Sequence, residues 1–385
     1  MKHFDYIIAG GGCAGRSLAL RMLPYLKTSN KQVLLVDKTR KIENDRTWCF
    51  WEKQQDVFEP VVFRKWSHLS FVSAAEHQEL DIHPYQYKMI RGADFYAYTG
   101  EQLSESSHIS MIQGNVESIS TEEEKGYVTI DGTQFSADYV FSSIPRIRKK
   151  KPDRYQYLLQ HFEGWTIESK SPVFDEERAT LMDFNTTQHA GTSFVYVLPL
   201  SSTLALVEYT VFSENELPDA AYTTALKQYI REQLHCEDYD IKEREKGIIP
   251  MSDHPINPGE GRIIYLGTAG GFTKGSTGYT FRFIQKHTAA IVSQLLKSGH
   301  PYISAVSPKR FETYDATLLH LLSSKRLSGE EIFSTLFKKN SSRQILKFLD
   351  NETSLMEEIR IFKTLQKKEF AIALWNRSLK LIKAN

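Results

Sequence analysis

Apolar positions along the chain follow three different rhythms. Residues 4–9 (FDYIIA) and 32–36 (QVLLV) are short, nearly unbroken apolar runs rich in branched side chains. Such runs predict strands buried on both faces of a parallel sheet. Between them Ser17, Leu18, Leu20, Met22 and Leu23 continue at helical spacing. Short strand-like pieces follow at 109–113, 116–119, 127–130, around Phe135 and at 139–141. From about 155 to 255 the rhythm becomes strand alternation, clearest at 193–197 and 204–210, and then an amphipathic helix at 220–234. Residues 262–266 read as a second buried strand, and 279–296 as the helix behind it. Beyond about 305 apolar residues recur at helical spacing, as in Leu318, Leu319, Leu321 and Leu322, then Ile345, Leu346, Phe348 and Leu349.

The first strand runs into Gly10-Gly11-Gly12-Cys13-Ala14-Gly15. The spacing Gly10-x-Gly12-x-x-Gly15 suits a phosphate cradle. Gly10 permits the tight turn, Gly12 lets the backbone approach a pyrophosphate, and Gly15 lets helix and strand pack closely. Asp37 ends the second strand, 22 residues after Gly15, where a carboxylate would accept from a ribose hydroxyl. Strand, glycines, helix, strand and acid in that order predict a dinucleotide site, and NAD and FAD share the unit. A second strand, Gly-rich turn and helix come at Gly267-Thr268-Ala269-Gly270-Gly271 with Gly275 to Gly278 beyond, as for the far side of a cofactor site.

These elements predict an α/β protein. A discontinuous, Rossmann-type nucleotide-binding region spans 1–150 and 255–300, including part of the aromatic-rich stretch 60–100. A β-rich, mixed-sheet insertion at 151–254 would hold substrate, and 301–385 would be helical. Residues 41–100 contain twelve aromatics, which are either core or an apolar, cation-stabilising pocket.

Composition narrows the function. In 385 residues, 41% hydrophobic and 25% charged, a large core is available and disorder is excluded. Lys plus Arg number 48 against 47 Asp plus Glu, so no basic excess points to nucleic acid. Three cysteines without a CxxC spacing argue against a disulfide scaffold or a zinc site. The twelve histidines show no HxxxH or HExxH spacing, and no metal is expected. No GxSxG elbow occurs. No secretion signal is expected from the first residues. The longest apolar region, 192–212, is broken by Pro199, Ser201, Ser202, Thr203 and Glu208 and reads as two strands, not a membrane span. Two basic stretches leave a peripheral membrane contact open. Residues 146–154 hold six basic residues in nine, and from Lys338 onward eleven basic residues face five acidic ones. Each is a solvated face or a contact for anionic lipid.

Several of these motifs together resemble the bacterial lycopene β-cyclases, within the wider group of geranylgeranyl-reductase-like flavoproteins. The resemblance is carried by the 10–15 fingerprint, by Asn44-Asp45-Arg46-Thr47-Trp48-Cys49-Phe50-Trp51, by 204–210 with its central Glu208, and by the 267–279 run GTAGGFTKGSTGY. It covers residues 1 to about 330. It implies a cytoplasmic enzyme, peripherally associated with the membrane. The enzyme would cyclise lycopene or a related linear carotenoid, first to γ-carotene and then to β-carotene, as an isomerisation. Reduced FAD would stabilise the carbocation without net redox, and NAD(P)H would only keep the flavin reduced. Glu208 becomes the expected proton donor. Gly10, Gly12, Gly15, Asp37, Arg46, Gly267, Thr268, Ala269, Gly270, Thr277 and Gly278 become cofactor-binding candidates. Trp48, Phe50, Trp51 and Tyr209 become candidates for the substrate pocket. Two departures stand out: Thr268 occupies a place where related flavoproteins carry Asp, and the 207–210 segment holds one acid, whereas plant relatives hold two. Alternative readings are a flavin-dependent monooxygenase or isoprenoid reductase, and a non-catalytic isoprenoid-binding protein.

Overall fold

The computed structural model of the chain describes residues 1–145, 155–370 and 372–374. The basic run at 146–154 and the basic residues after 374 lie outside them. The first sheet is built on Lys2–Ala9, which pairs in parallel with Thr133–Ser142 on one side and Val33–Asp37 on the other. Ile109–Gln113 and Ile263–Tyr265 extend it, also in parallel. Its strands are apolar on both faces because both faces are covered: Ile7, Ile8, Ala9, Val33 and Val36 are wholly buried. The Cys13–Ser29 and Phe281–Ser298 helices cover one face, packing Leu18, Ala19 and Met22 near Ile284, Ile291 and Leu295. The other face receives Val128 and Ile130 of the Val116–Glu122/Lys125–Ile130 hairpin.

The second sheet has seven strands. From one edge it runs in the order Tyr239–Ser252, Tyr157–Ser169, Leu204–Ser213, Thr192–Pro199 and Arg178–Asp183, all antiparallel. His68–Ser73 and Glu76–Asp81, from the aromatic-rich stretch, complete it, the former pairing in parallel with Arg178–Asp183. A piece of the N-terminal third therefore belongs to the same sheet as the 157–252 strands. Alternation sorts the two faces. Trp165, Val207, Tyr209 and Val211 pack under the Asp219–Glu232 helix with Tyr222, Leu226 and Ile230. Phe194, Leu198, Leu206 and Phe212 face the opposite way, into a core shared with Leu319, Phe333 and Leu336.

Those last residues belong to the helices Arg310–Ser323 and Gly329–Lys339; Ser342–Leu349 and Leu355–Thr364 follow them. A three-stranded sheet of Thr47–Glu52, Gln86–Arg91 and Arg64–Trp66 lies beside them. Much of the aromatic density is core: Trp51, Trp66, Phe71 and Tyr87 are almost wholly buried. Truncating any of them to Ala would cost about 3–5 kcal/mol. Buried ion pairs tie the layers together. The Lys88 ammonium meets Glu52 at 2.8 Å, and Glu52 also meets Arg282 at 3.0 Å. Lys274 meets Asp315 at 2.6 Å and donates to the Asn351 side-chain oxygen at 2.8 Å. The second Gly-rich turn is thus pinned to the C-terminal helices.

Candidate functional site

The glycines of the first loop divide by role. Gly10 has φ +105°, and a Cβ there would stand 2.2 Å from Ser143 Oγ. A Cβ on Gly15 would stand 2.0 Å from the Gly10 carbonyl oxygen. Both are glycine because the turn and the helix packing leave no room. Gly12 differs: nothing lies within 4 Å of the position its Cβ would take. It faces a cavity of about 980 Å³, and the helix it precedes has no side-chain cap on its first N–H groups. Asp37 lines the same cavity; its carboxylate accepts the Gly11 N–H at 2.7 Å and the Thr39 N–H at 2.9 Å.

Gly267, Thr268 and Ala269 reach the cavity from the second turn, and Thr277 and Gly278 follow. Gly270 does not line it; a Cβ there would be 2.1 Å from the Tyr265 carbonyl oxygen, so it serves the turn itself. Thr268, where relatives carry Asp, is exposed and shares a hydrogen bond with the Thr273 hydroxyl at 3.1 Å. Arg46 is an exposed lining residue, its guanidinium donating to the Asp45 carbonyl oxygen at 2.6 Å. Two buried polar atoms beside this cavity, Thr277 Oγ1 and Gln160 Oε1, have no hydrogen-bond partner. Open space over Gly12, free N–H groups at a helix start and orphaned polar atoms all suit a bound dinucleotide.

The same cavity continues to Glu208. Its strand neighbours place Tyr196 on one side and Gly164 on the other, and Gly164 in turn pairs with Glu245. Residues directly opposite share a face, so one rung of the sheet reads Tyr196, Glu208, Gly164, Glu245. All but Gly164 line the cavity. The Thr210 hydroxyl donates to Glu208 Oε1 at 2.8 Å, and the Thr47 hydroxyl to Glu245 Oε2 at 2.7 Å. Burial, then the neighbouring Glu245, holds the Glu208 carboxyl well above the usual carboxylate range. Burial raises Glu245 as well, while hydrogen bonds from Thr47 and Glu208 pull it back. Both carboxyls are thus held above the usual range, Glu208 the more strongly. Burial also pushes the Cys49 thiol and the Tyr87 and Tyr196 hydroxyls well up, and Tyr279 to about 12. The walls stay neutral around the acid.

Of the aromatic candidates, Trp48 lines the cavity. Phe50 and Trp51 do not. Phe50 stacks on Phe281 at 4.5 Å in a core cluster, and the buried Trp51 donates its indole N–H to the Leu346 carbonyl oxygen at 3.2 Å. Tyr209 is corrected outright: alternation turns it away from Glu208 and buries it near Tyr222 beneath a helix. Glu245 and Gln160 escaped the sequence reading. Glu245 sits in the run Lys242-Glu243-Arg244-Glu245-Lys246, where every residue is charged and only strand pairing distinguishes one carboxylate from the next. Among the described residues, no group of three or more His, Cys, Asp or Glu side chains is placed to hold a metal, and no helix is long and apolar enough to cross a membrane.

A model of the family described as Lycopene cyclase protein matches residues 5–376. The chain belongs to the lycopene cyclase family. Among curated relatives, the lycopene β-cyclase of Paracoccus sp. is 27% identical over 332 residues, covering 80% of this chain and 76% of that protein. The lycopene β-cyclase of Pantoea ananas is 25% identical over 227 residues, covering 56% of this chain and 54% of that one. Among solved structures, a flavoprotein/dehydrogenase from Cytophaga hutchinsonii superposes with a TM-score of 0.66 at 14% identity, over 100% of both chains. A geranylgeranyl bacteriochlorophyll reductase-like protein from Thermoplasma acidophilum gives 0.61 at 11% identity, over 98% of this chain and 100% of that one. This lycopene cyclase family member thus has the flavoprotein fold that the resemblance implies, its Gly-rich turns by themselves predicting only a dinucleotide site.

Proposed function

We propose that this chain is a lycopene β-cyclase that closes the linear ends of lycopene into β-rings, with Glu208 as proton donor. The observation that carries the reading is a half-buried carboxyl, poorly solvated and held well above the usual carboxylate range, on the wall of the cavity onto which Gly12 opens. Protonating a terminal double bond needs an acid kept neutral near pH 7, and burial supplies one. Glu208 gives its proton to that double bond, a carbocation forms, the next double bond attacks it, and a proton is lost to complete the ring. Trp48, Tyr87, Tyr196 and Phe281 line the walls. They offer π-rich surface to a cation and leave little for water, which would trap the cation as an alcohol.

The Gly10–Gly15 loop, Asp37 and the 267–278 turn would hold FAD in the other half of the cavity, with Thr277 and Gln160 offering unused polar atoms. Reduced FAD bound there would supply negative charge to the site, and NAD(P)H would serve only to reach that form. A substrate confined to bilayers supports a peripheral position on the cytoplasmic membrane surface. Ile248, which lines the cavity and is 47% exposed, suits that contact.

The test is an anaerobic incubation of the protein with reduced FAD and lycopene in liposomes. A cyclised product of unchanged mass, without stoichiometric use of NAD(P)H, is the expected result. Product only with oxygen and stoichiometric NAD(P)H would make the chain a monooxygenase.

A further inference from the structure

We infer that Glu245 is the acid–base partner of Glu208, the two carboxyls sharing one proton across the gap left by Gly164. The inference rests on the proposed proton-donor reading of Glu208 and adds to it a second residue, 37 positions further along the chain.

The geometry is that of a missing side chain. Glu208 and Glu245 lie two strands apart, so their backbones are separated by about 10 Å. Any side chain on the intervening strand would fill the space between them. At Gly164 there is none, and a Cβ there would press on Glu245 Cγ at 3.1 Å and Leu206 Cδ1 at 3.0 Å. The two carboxyls meet over the bare backbone. Each also has its own hydroxyl donor, Thr210 and Thr47 respectively, which fixes its orientation. Facing the pair are Cys49, Tyr87, Tyr196 and Tyr279, all neutral, while Glu243 and Arg46 act on Glu245 with opposite signs. Two like charges this close in a poorly solvated site do not both ionise, so one proton stays.

The cycle then balances. The Glu208 O–H bond breaks as a C–H bond forms at the polyene terminus. After ring closure a C–H bond breaks, its electron pair becomes the ring double bond, and the proton returns to the dianionic pair. No electrons leave or enter, and the pair ends each turnover with the proton it began with.

The test compares the parent, Glu208→Gln and Glu245→Gln for FAD binding, for the pH dependence of cyclisation, and for the infrared carbonyl stretch of a buried carboxylic acid. A shared proton predicts a bell-shaped profile for the parent, because the empty pair has no proton to give and the doubly protonated pair is slowed by loss of the carboxylate that steadies the cation. Glu245→Gln should stay at the rate to which the parent falls on its acidic limb, with no such limb of its own, and should move the alkaline limb down by about one pH unit or more. On the alkaline limb that is roughly a tenfold loss of rate. The carbonyl band should vanish in Glu208→Gln and shift in Glu245→Gln. A residue that only supports the fold would lower the yield of protein and leave both limbs and the band where they were. That result in Glu245→Gln, with Glu208→Gln inactive, overturns the pair and spares the proton donor. Normal turnover by Glu208→Gln overturns the proton donor itself. If Glu245→Gln does not fold, Gly164→Ala takes its place: the added methyl parts the carboxyls and should remove the acidic limb, and a parent-like profile in it overturns the pair.

Discussion

The two ends of the cavity are built on opposite plans. At the nucleotide end, the loop Gly10–Gly15 and Asp37 come from one stretch of fewer than forty residues, and backbone does most of the work. At the acid end, Cys49, Gly164, Tyr196, Glu208 and Glu245 come from separate strands of two sheets, and side chains do the work. A backbone device tolerates almost no change of residue at its glycines but needs little from distant sequence. A side-chain device depends on register, because a one-residue slip of any strand would turn its acid to the other face.

Substitutions separate the two plans. The largest effect is expected at the acid end. Glu208→Gln should lower cyclisation by about 10²–10⁴-fold, the usual worth of a positioned acid, while flavin content stays that of the parent. At the nucleotide end, Gly12→Val should fold and purify without flavin, since its side chain enters space that is open in the protein and needed by a pyrophosphate. Gly15→Ala should instead lower the yield of folded protein, since its methyl meets backbone. Absorbance near the flavin bands and circular dichroism distinguish the pair; yellow Gly12→Val protein would count against the assignment. Asp37→Asn loses a charged acceptor for the Gly11 N–H, and FAD should bind roughly 10–100-fold more weakly by titration.

The smallest effect is on stability. Glu208 has its folded pKa raised above the ordinary 4.5. The folded protein holds that proton more tightly than the unfolded chain, so stability is lost as pH rises from 4.5 towards the folded value. Glu208→Gln has no such proton to lose. Its advantage in Tm over the parent should grow with pH across that window, and a constant difference between pH 5 and pH 8 would argue against a buried acid.

The same division explains what could be read in the sequence. Lys2–Ala9, Val33–Asp37 and the Gly-rich turns announce themselves locally, and the Phe281–Ser298 and Asp219–Glu232 helices fall within two residues of expectation. Phe135 and 139–141, read as separate pieces, are one strand, Thr133–Ser142, because two polar residues between them do not interrupt a ladder. The role proposed for Glu208 starts from a resemblance; Glu245 has no such signal, because what sets it apart is facing Gly164, a fact of pairing and not of spacing. Tyr209 was misplaced for the converse reason. Adjacency in sequence to an acid puts a strand residue on the opposite face.

The order of the first sheet has a consequence for how the protein comes into being. The Gly10–Gly15 loop and the strand Ile263–Tyr265, whose following turn lines the same cavity, are separated by more than 240 residues of chain. The lysine that pins that turn, Lys274, finds its partners only at Asp315 and Asn351. A nascent chain that has not yet reached residue 263 thus carries a nucleotide fingerprint without the second wall of its pocket. If FAD is bound as proposed, its capture waits for that second wall, so a chain cut short before residue 351 should be released without cofactor and with its apolar cavity wall uncovered.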